Sequence, residues 1–88
     1  IAVSLAVDGK GALAAGPEIA TRGVVYVREN EALLEALRAA IIVALAEHSA
    51  DEPWDREVLS ARVRLAVRQF INQRFQRKPV VLPMILEV

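Results

Sequence analysis

The sequence predicts an α+β domain with a small three- to four-stranded sheet, two helices packed on one sheet face, and the order β-β-β-α-α-β. Apolar, strand-like runs at both ends and a central region with helical periodicity support this fold class. With 88 residues, 55% of them hydrophobic, the chain has room for one modest core. We therefore expect a single domain over residues 1–88, excised from a longer chain because Ile1 already lies in a strand-like run.

The first half contains the strand signals. Residues 2–7 are almost wholly apolar, and the Asp-Gly-Lys-Gly sequence at 8–11 is typical of a hairpin turn that returns over 12–15. Gly16-Pro17 is expected to end that strand, because proline cannot donate to a ladder. Residues 24–27 are β-branched and aromatic and predict a third strand.

Two helices follow. Asn30 is a good N-cap, and apolar residues at three- and four-residue spacing predict a helix to about His48. A second helix is expected over 54–76, starting near Trp54, and Pro79 forces the preceding residue into extended geometry. Its predicted buried face comprises Leu59, Val63, Ala66, Val67, Phe70 and Ile71.

The last apolar run, residues 80–86, predicts a closing strand, and Pro83 favours an edge position or a bulge. With both helices on one sheet face, the other face must be solvated or covered from outside the chain. Ile42 departs from the amphipathic pattern of the first helix, which suggests a second buried face or a partner.

Catalytic and metal-binding motifs are missing from the sequence. There is no cysteine, and the single histidine, His48, is expected to interact with the end of its helix. The glycines form neither a phosphate loop nor a dinucleotide fingerprint, so no cofactor is predicted. The longest apolar run, residues 39–46, is far shorter than a membrane helix, so no membrane partner is expected.

Charge is segregated although the net charge is zero. Residues 29–52 contain six acids and one base, Arg38, whereas residues 58–80 contain six bases and no acid. The basic residues could contact RNA phosphates, or could be solvated or pair with an acidic helix of this or another copy. The candidate RNA contacts are Arg64, Arg68, Arg74, Arg77 and Lys78.

Two stretches carry a family resemblance. The GPEI sequence at 16–19 with RGVVYVRE at 22–29, and the closing RKPVVLPMILEV at 77–88, resemble the C-terminal domain of bacterial ribonuclease J. Val24 stands where that family commonly has Phe, and Val80 where Met is frequent. The motif residues expected to be structural are Gly16, Pro17, Arg22, Gly23, Tyr26, Pro79 and Pro83.

The resemblance implies a role as part of a larger enzyme. Members of this family are cytoplasmic, zinc-dependent ribonucleases with 5′→3′ exonuclease and endonuclease activity, whose metal ligands lie in other domains and have no counterpart here. It implies a non-catalytic domain that assists homodimer or higher assembly and contacts the catalytic lobes of its parent. The candidate self-association residues are Ile42, Val80, Leu82, Met84 and Leu86.

Overall fold

A computed structural model describes residues 1–21, 31–47 and 55–88. Its elements are β1 (Ala2–Val7), β2 (Leu13–Ala20), α1 (Glu31–Ala46), α2 (Arg56–Phe75) and β3 (Leu82–Glu87). The sheet has the order β2-β1-β3, with β1 antiparallel to β2 and parallel to β3. The α+β class is confirmed. The strand predicted over 24–27, and the roles predicted for Asn30, His48 and Trp54, lie outside the described residues.

The predicted hairpin joins β1 to β2. The Asp8 carboxylate accepts hydrogen bonds from the backbone N–H groups of Lys10 (2.8 Å) and Ala12 (3.1 Å). Gly11 has a φ of 81°, a left-handed conformation that glycine adopts without a Cβ clash. Hydrogen bonds to the Asp8 side chain and the left-handed backbone of Gly11 therefore determine the conformation of this turn.

The expected strand break at Gly16-Pro17 is wrong, because β2 continues through both residues to Ala20. On β1 the partner of Ser4 is Glu18 and that of Ala6 is Ala15, so Gly16 and Pro17 together oppose one β1 residue. This arrangement is a β-bulge, and among the described strands β2 lies at an edge of the sheet, where proline's missing donor is tolerated. The Gly16–Pro17 peptide bond is cis.

Local signals define the ends of α2. The Asp55 side chain caps the helix by accepting a 2.7 Å hydrogen bond from the N–H of Glu57. Gln76 ends it in the left-handed conformation, with φ 53° and ψ 40°, and donates to the carbonyl of Asn72. These caps confirm the predicted helix to within about two residues at each end.

The core lies between one sheet face and the two helices. In β1, Val3, Leu5 and Val7 alternate inward and are buried, and Ile85 of β3 joins them. The helical contributions are Leu37, Ile41, Leu45, Leu59, Val63, Val67, Phe70 and Ile71. Ala66, expected on the buried face of α2, is instead half-buried because it lies at the border of that face.

The position of Pro83 on an edge strand is confirmed by the hydrogen-bond pattern. Leu82 N–H donates to the carbonyl of Ile1 at 2.9 Å, and Val88 N–H donates to that of Val7 at 2.8 Å. Backbone groups of alternate residues in a strand face the same neighbour, so even-numbered residues of β3 face β1. Pro83 therefore removes a donor only from the side of β3 that faces away from β1, which has no partner strand among the described residues.

Candidate functional site

The outer face of the sheet carries a row of exposed apolar side chains. Leu82, Met84 and Leu86 are 60%, 59% and 66% exposed, and Val80 and Val88 beside them are 74% and 76% exposed. On β1 the residues paired with the three β3 side chains are Ala2, Ser4 and Ala6, all small. We call the five β3-side residues, Val80, Leu82, Met84, Leu86 and Val88, the outer-face row. A row of this kind on a small domain is typical of an interaction site.

Ile42 does not lie with the outer-face row. It is 40% exposed and lines a separate cleft of about 250 Å³, together with Leu13, Leu45 and the turn residue Gly11. The structure therefore brings four of the five candidate self-association residues together and places Ile42 on the helical side, next to the β1–β2 hairpin.

The candidate RNA contacts are divided around α2. Arg68 is exposed and Arg64 half-buried, whereas the Arg74 guanidinium stacks 3.8 Å from the centre of the Phe70 ring. At about 100° per residue, Arg68 and Arg74 point about 120° apart around the helix axis. Arg77 and Lys78 are exposed just beyond the helix end. These bases do not form one continuous stripe.

A groove between α1 and α2 was not predicted from the sequence. It encloses about 650 Å³ and is lined from α2 by Arg62 and Arg74, with Leu65 and Phe70 between them. The α1 side consists of small residues and ends at Glu47. Nη1 of Arg62 is buried and has no hydrogen-bond partner among the described residues. Such an atom is rare in a folded protein and calls for an explanation.

The sequence does contain a signal for this groove. Five α1 residues with small side chains recur at three- and four-residue spacing on one side of the helix: Ala36, Ala39, Ala40, Val43 and Ala44. They form a second apolar face beside the core face at Leu37 and Ile41, and Ala36 and Ala40 at its border also pack against the core. This second face is easily missed in the sequence, because alanine contributes little to a hydrophobic pattern and Ile42 is the more conspicuous apolar residue.

The described residues were also compared with the side-chain groups that bind metal ions. No group of three or more His, Cys, Asp or Glu side chains there could hold a metal ion. None of the described helices is long and apolar enough to cross a membrane. Among the family-motif residues, Pro17 is buried in the β2 bulge and Pro79 precedes β3, whereas Arg22, Gly23 and Tyr26 lie outside the described residues.

Comparison with known proteins identifies the family. The family model described as "Ribonuclease J C-terminal domain" matches residues 1–88. The chain belongs to this family. The ribonuclease J resemblance carried by the two sequence motifs is thereby confirmed.

Individual relatives are similar over most of the chain. Ribonuclease J2 of Bacillus subtilis (strain 168) is 41% identical over 80 residues, which cover 86% of this chain and 14% of the relative. Ribonuclease J 2 of Staphylococcus saprophyticus is 39% identical over 80 residues, and that of Staphylococcus aureus (strain NCTC 8325) is 34% identical over 80 residues, with the same shares covered. The chain thus corresponds to about one seventh of the length of these ribonucleases.

Proposed function

We propose that this chain is a non-catalytic accessory domain of a cytoplasmic, zinc-dependent ribonuclease J with 5′→3′ exonuclease and endonuclease activity. In this proposal the domain promotes dimer or higher assembly of the parent and contacts its catalytic lobes. Family membership and the ribonuclease names of the relatives support the parent activity. The absence of cysteine agrees with a reducing cytoplasm.

Zinc would be bound elsewhere in the parent protein. The described residues contain no group of side chains suited to a metal ion, so they do not fit a zinc site. The domain would then support RNA degradation through assembly, and no chemical step is assigned to its side chains.

The outer-face row is the observation that carries the assembly proposal. Its five side chains are each more than half exposed, and the helices described here lie on the opposite face of the sheet. Covering such a row with a second copy removes apolar surface from water at about 25 cal/mol per Å². The small β1 residues beside it let a second surface approach closely.

Sedimentation velocity at micromolar concentration tests this proposal. We expect the 88-residue chain to sediment as a dimer, and Leu86→Glu to shift it to monomer because a carboxylate would be buried without a partner. Val58→Glu is the matched control, since Val58 is 48% exposed but lies on α2. A wild-type monomer over the whole range, or an L86E variant that remains dimeric, would show that the outer-face row does not mediate assembly.

RNA binding is a second candidate function. Arg68, Arg77 and Lys78 are exposed, and residues 58–80 contain no acid that would repel phosphate. No ion pair forms between the described parts of α1 and α2, where Arg38 pairs with Glu35 within α1. The bases of α2 are therefore not neutralised by the acidic helix of the same chain in the part that the structure describes.

Salt dependence distinguishes RNA binding from assembly. Contact with phosphates predicts an affinity that falls steeply with salt and is lost in the double variant Arg64→Glu, Arg68→Glu. A filter-binding titration of single-stranded RNA at several salt concentrations measures both effects. The second candidate fails if the double variant binds RNA as tightly as the wild type.

A further inference from the structure

The groove between α1 and α2 is long enough to bind a third helix of about three turns. On α1 its lining extends from Ala36 to Glu47, and on α2 from Arg62 to Arg74. At 1.5 Å per residue these lengths are about 17 Å and about 18 Å, or three helical turns. The lining recurs at three- and four-residue spacing on both helices, which is the pattern of helix–helix contact.

The groove side chains would allow the apolar face of an external helix to pack closely against them. The α1 wall consists of alanines and Val43, so the backbone of another helix can approach closely. Val43 is 62% exposed and Leu65, across the groove, is 57% exposed. Both are apolar side chains that are more than half exposed, and a docked helix would cover both.

Charge indicates the chemistry of the occupant. Arg62 lines the groove, and its Nη1 is buried without a hydrogen-bond partner in the part of the chain that the structure describes, even though Glu47 lines the same groove. Arg74, twelve positions later, has its guanidinium carbon 3.8 Å from the centre of the Phe70 ring and lines the other end of the same groove. Carboxylates bind guanidinium groups bidentately, so acidic side chains would satisfy both positions.

We propose that this groove binds an acidic amphipathic α-helix of a protein partner, about three turns long, with one apolar face and carboxylates near both ends. A peptide segment fits better than RNA, because the lining between Arg62 and Arg74 is mostly alanine and other apolar side chains, which suit an apolar helix face better than a phosphate backbone. The groove shares no residue with the outer-face row, so this proposal stands independently of assembly through the sheet.

A synthetic helix provides the probe. A fluorescein-labelled peptide of about fourteen residues would carry leucines on one face and two glutamates eleven positions apart, about 16 Å along the same side. Its control replaces both glutamates by lysines. Fluorescence anisotropy with the 88-residue chain should give saturable binding of the acidic peptide and at least about tenfold weaker binding of the lysine peptide.

Variants of the groove decide whether binding occurs there. Val43→Glu and Leu65→Glu should each weaken acidic-peptide binding at least about tenfold, whereas Val58→Glu, outside the groove, should leave it unchanged. Arg62→Glu should reverse the preference in favour of the lysine peptide. All these positions are at least partly exposed, and far-UV circular dichroism confirms that each variant is folded.

Three results would overturn the proposal. The first is absence of binding by the acidic peptide at concentrations up to the millimolar range. The second is binding that Val43→Glu and Leu65→Glu both leave intact. The third is displacement of the peptide by single-stranded RNA whose own affinity depends on Val43, which would assign the groove to nucleic acid instead.

Discussion

Gly16 is the position where a single added methyl group should disturb this fold most specifically. Its φ is +88°, and a Cβ built on it would lie 2.9 Å from the carbonyl oxygen of Ser4 and 3.2 Å from Cα of Leu5. Both are backbone atoms of the central strand, so neither can move without disturbing the pairing of β1 with β2. Gly16→Ala should therefore destabilise the domain even though Gly16 itself is exposed.

The expected loss of stability has three contributions. A left-handed conformation costs an alanine about 1–2 kcal/mol. Overlap with the β1 backbone costs about 1–3 kcal/mol, by analogy with overpacked cores. Alanine also restricts the unfolded chain, which returns about 0.4–1 kcal/mol. The net expectation is a decrease of about 2–4 kcal/mol in the free energy of unfolding.

Urea denaturation followed by far-UV circular dichroism measures this difference, provided that the m-values of the variants agree. Gly9→Ala is the matched control, because the nearest described atom to a Cβ there is a Glu87 carboxylate oxygen at 4.0 Å. It should change stability by less than about 1 kcal/mol. Equal stability of the two alanine variants would refute the close approach of Gly16 to β1.

Three further substitutions test other parts of the fold by the same denaturation assay. Asp55→Ala should cost about 1 kcal/mol through loss of the α2 N-cap, and an unchanged midpoint would contradict the cap. Leu59→Ala should cost about 2–5 kcal/mol because Leu59 is fully buried, whereas Val58→Ala at its exposed neighbour should cost less than about 1 kcal/mol. Arg38→Met should cost about 1 kcal/mol by removing the 3.0 Å hydrogen bond from Nε to the carbonyl of Pro17, and no loss would show that this bond is dispensable.

The parts of the fold that were predictable depend on local chemistry. The aspartate and glycines of the hairpin determine that turn within five residues, and the periodicity of α2 places Leu59, Val63 and Phe70 in the core as expected. The β2 bulge depends on long-range geometry instead. Sequence rules treat Gly16-Pro17 as a break, because nothing local shows that β2 is an edge strand on which a bulge is tolerated.

The candidate surfaces likewise divide into those that local sequence predicts and those that depend on long-range geometry. The apolar run over residues 80–86 is a local pattern, so a closing strand could be predicted there, and the structure has β3 over Leu82–Glu87. The division of Arg68 from Arg74 around α2 follows from helix geometry alone, at about 100° per residue. The groove forms only where α1 and α2 lie side by side. The alanines of α1 therefore could not be recognised as groove residues before the position of α2 was known.

The charge segregation of the sequence has a more specific interpretation in the folded chain. If α1 and α2 neutralised one another, the six bases of residues 58–80 would be explained by intramolecular pairing. Within residues 1–21, 31–47 and 55–88, however, Arg62 has a buried nitrogen without a hydrogen-bond partner, and Arg38 of α1 pairs with Glu35 of the same helix. An unsatisfied buried donor costs about 1–3 kcal/mol, so a carboxylate from outside the described chain would gain that energy on binding. This energy favours binding of an external acidic group at Arg62, in agreement with the proposed acidic helix.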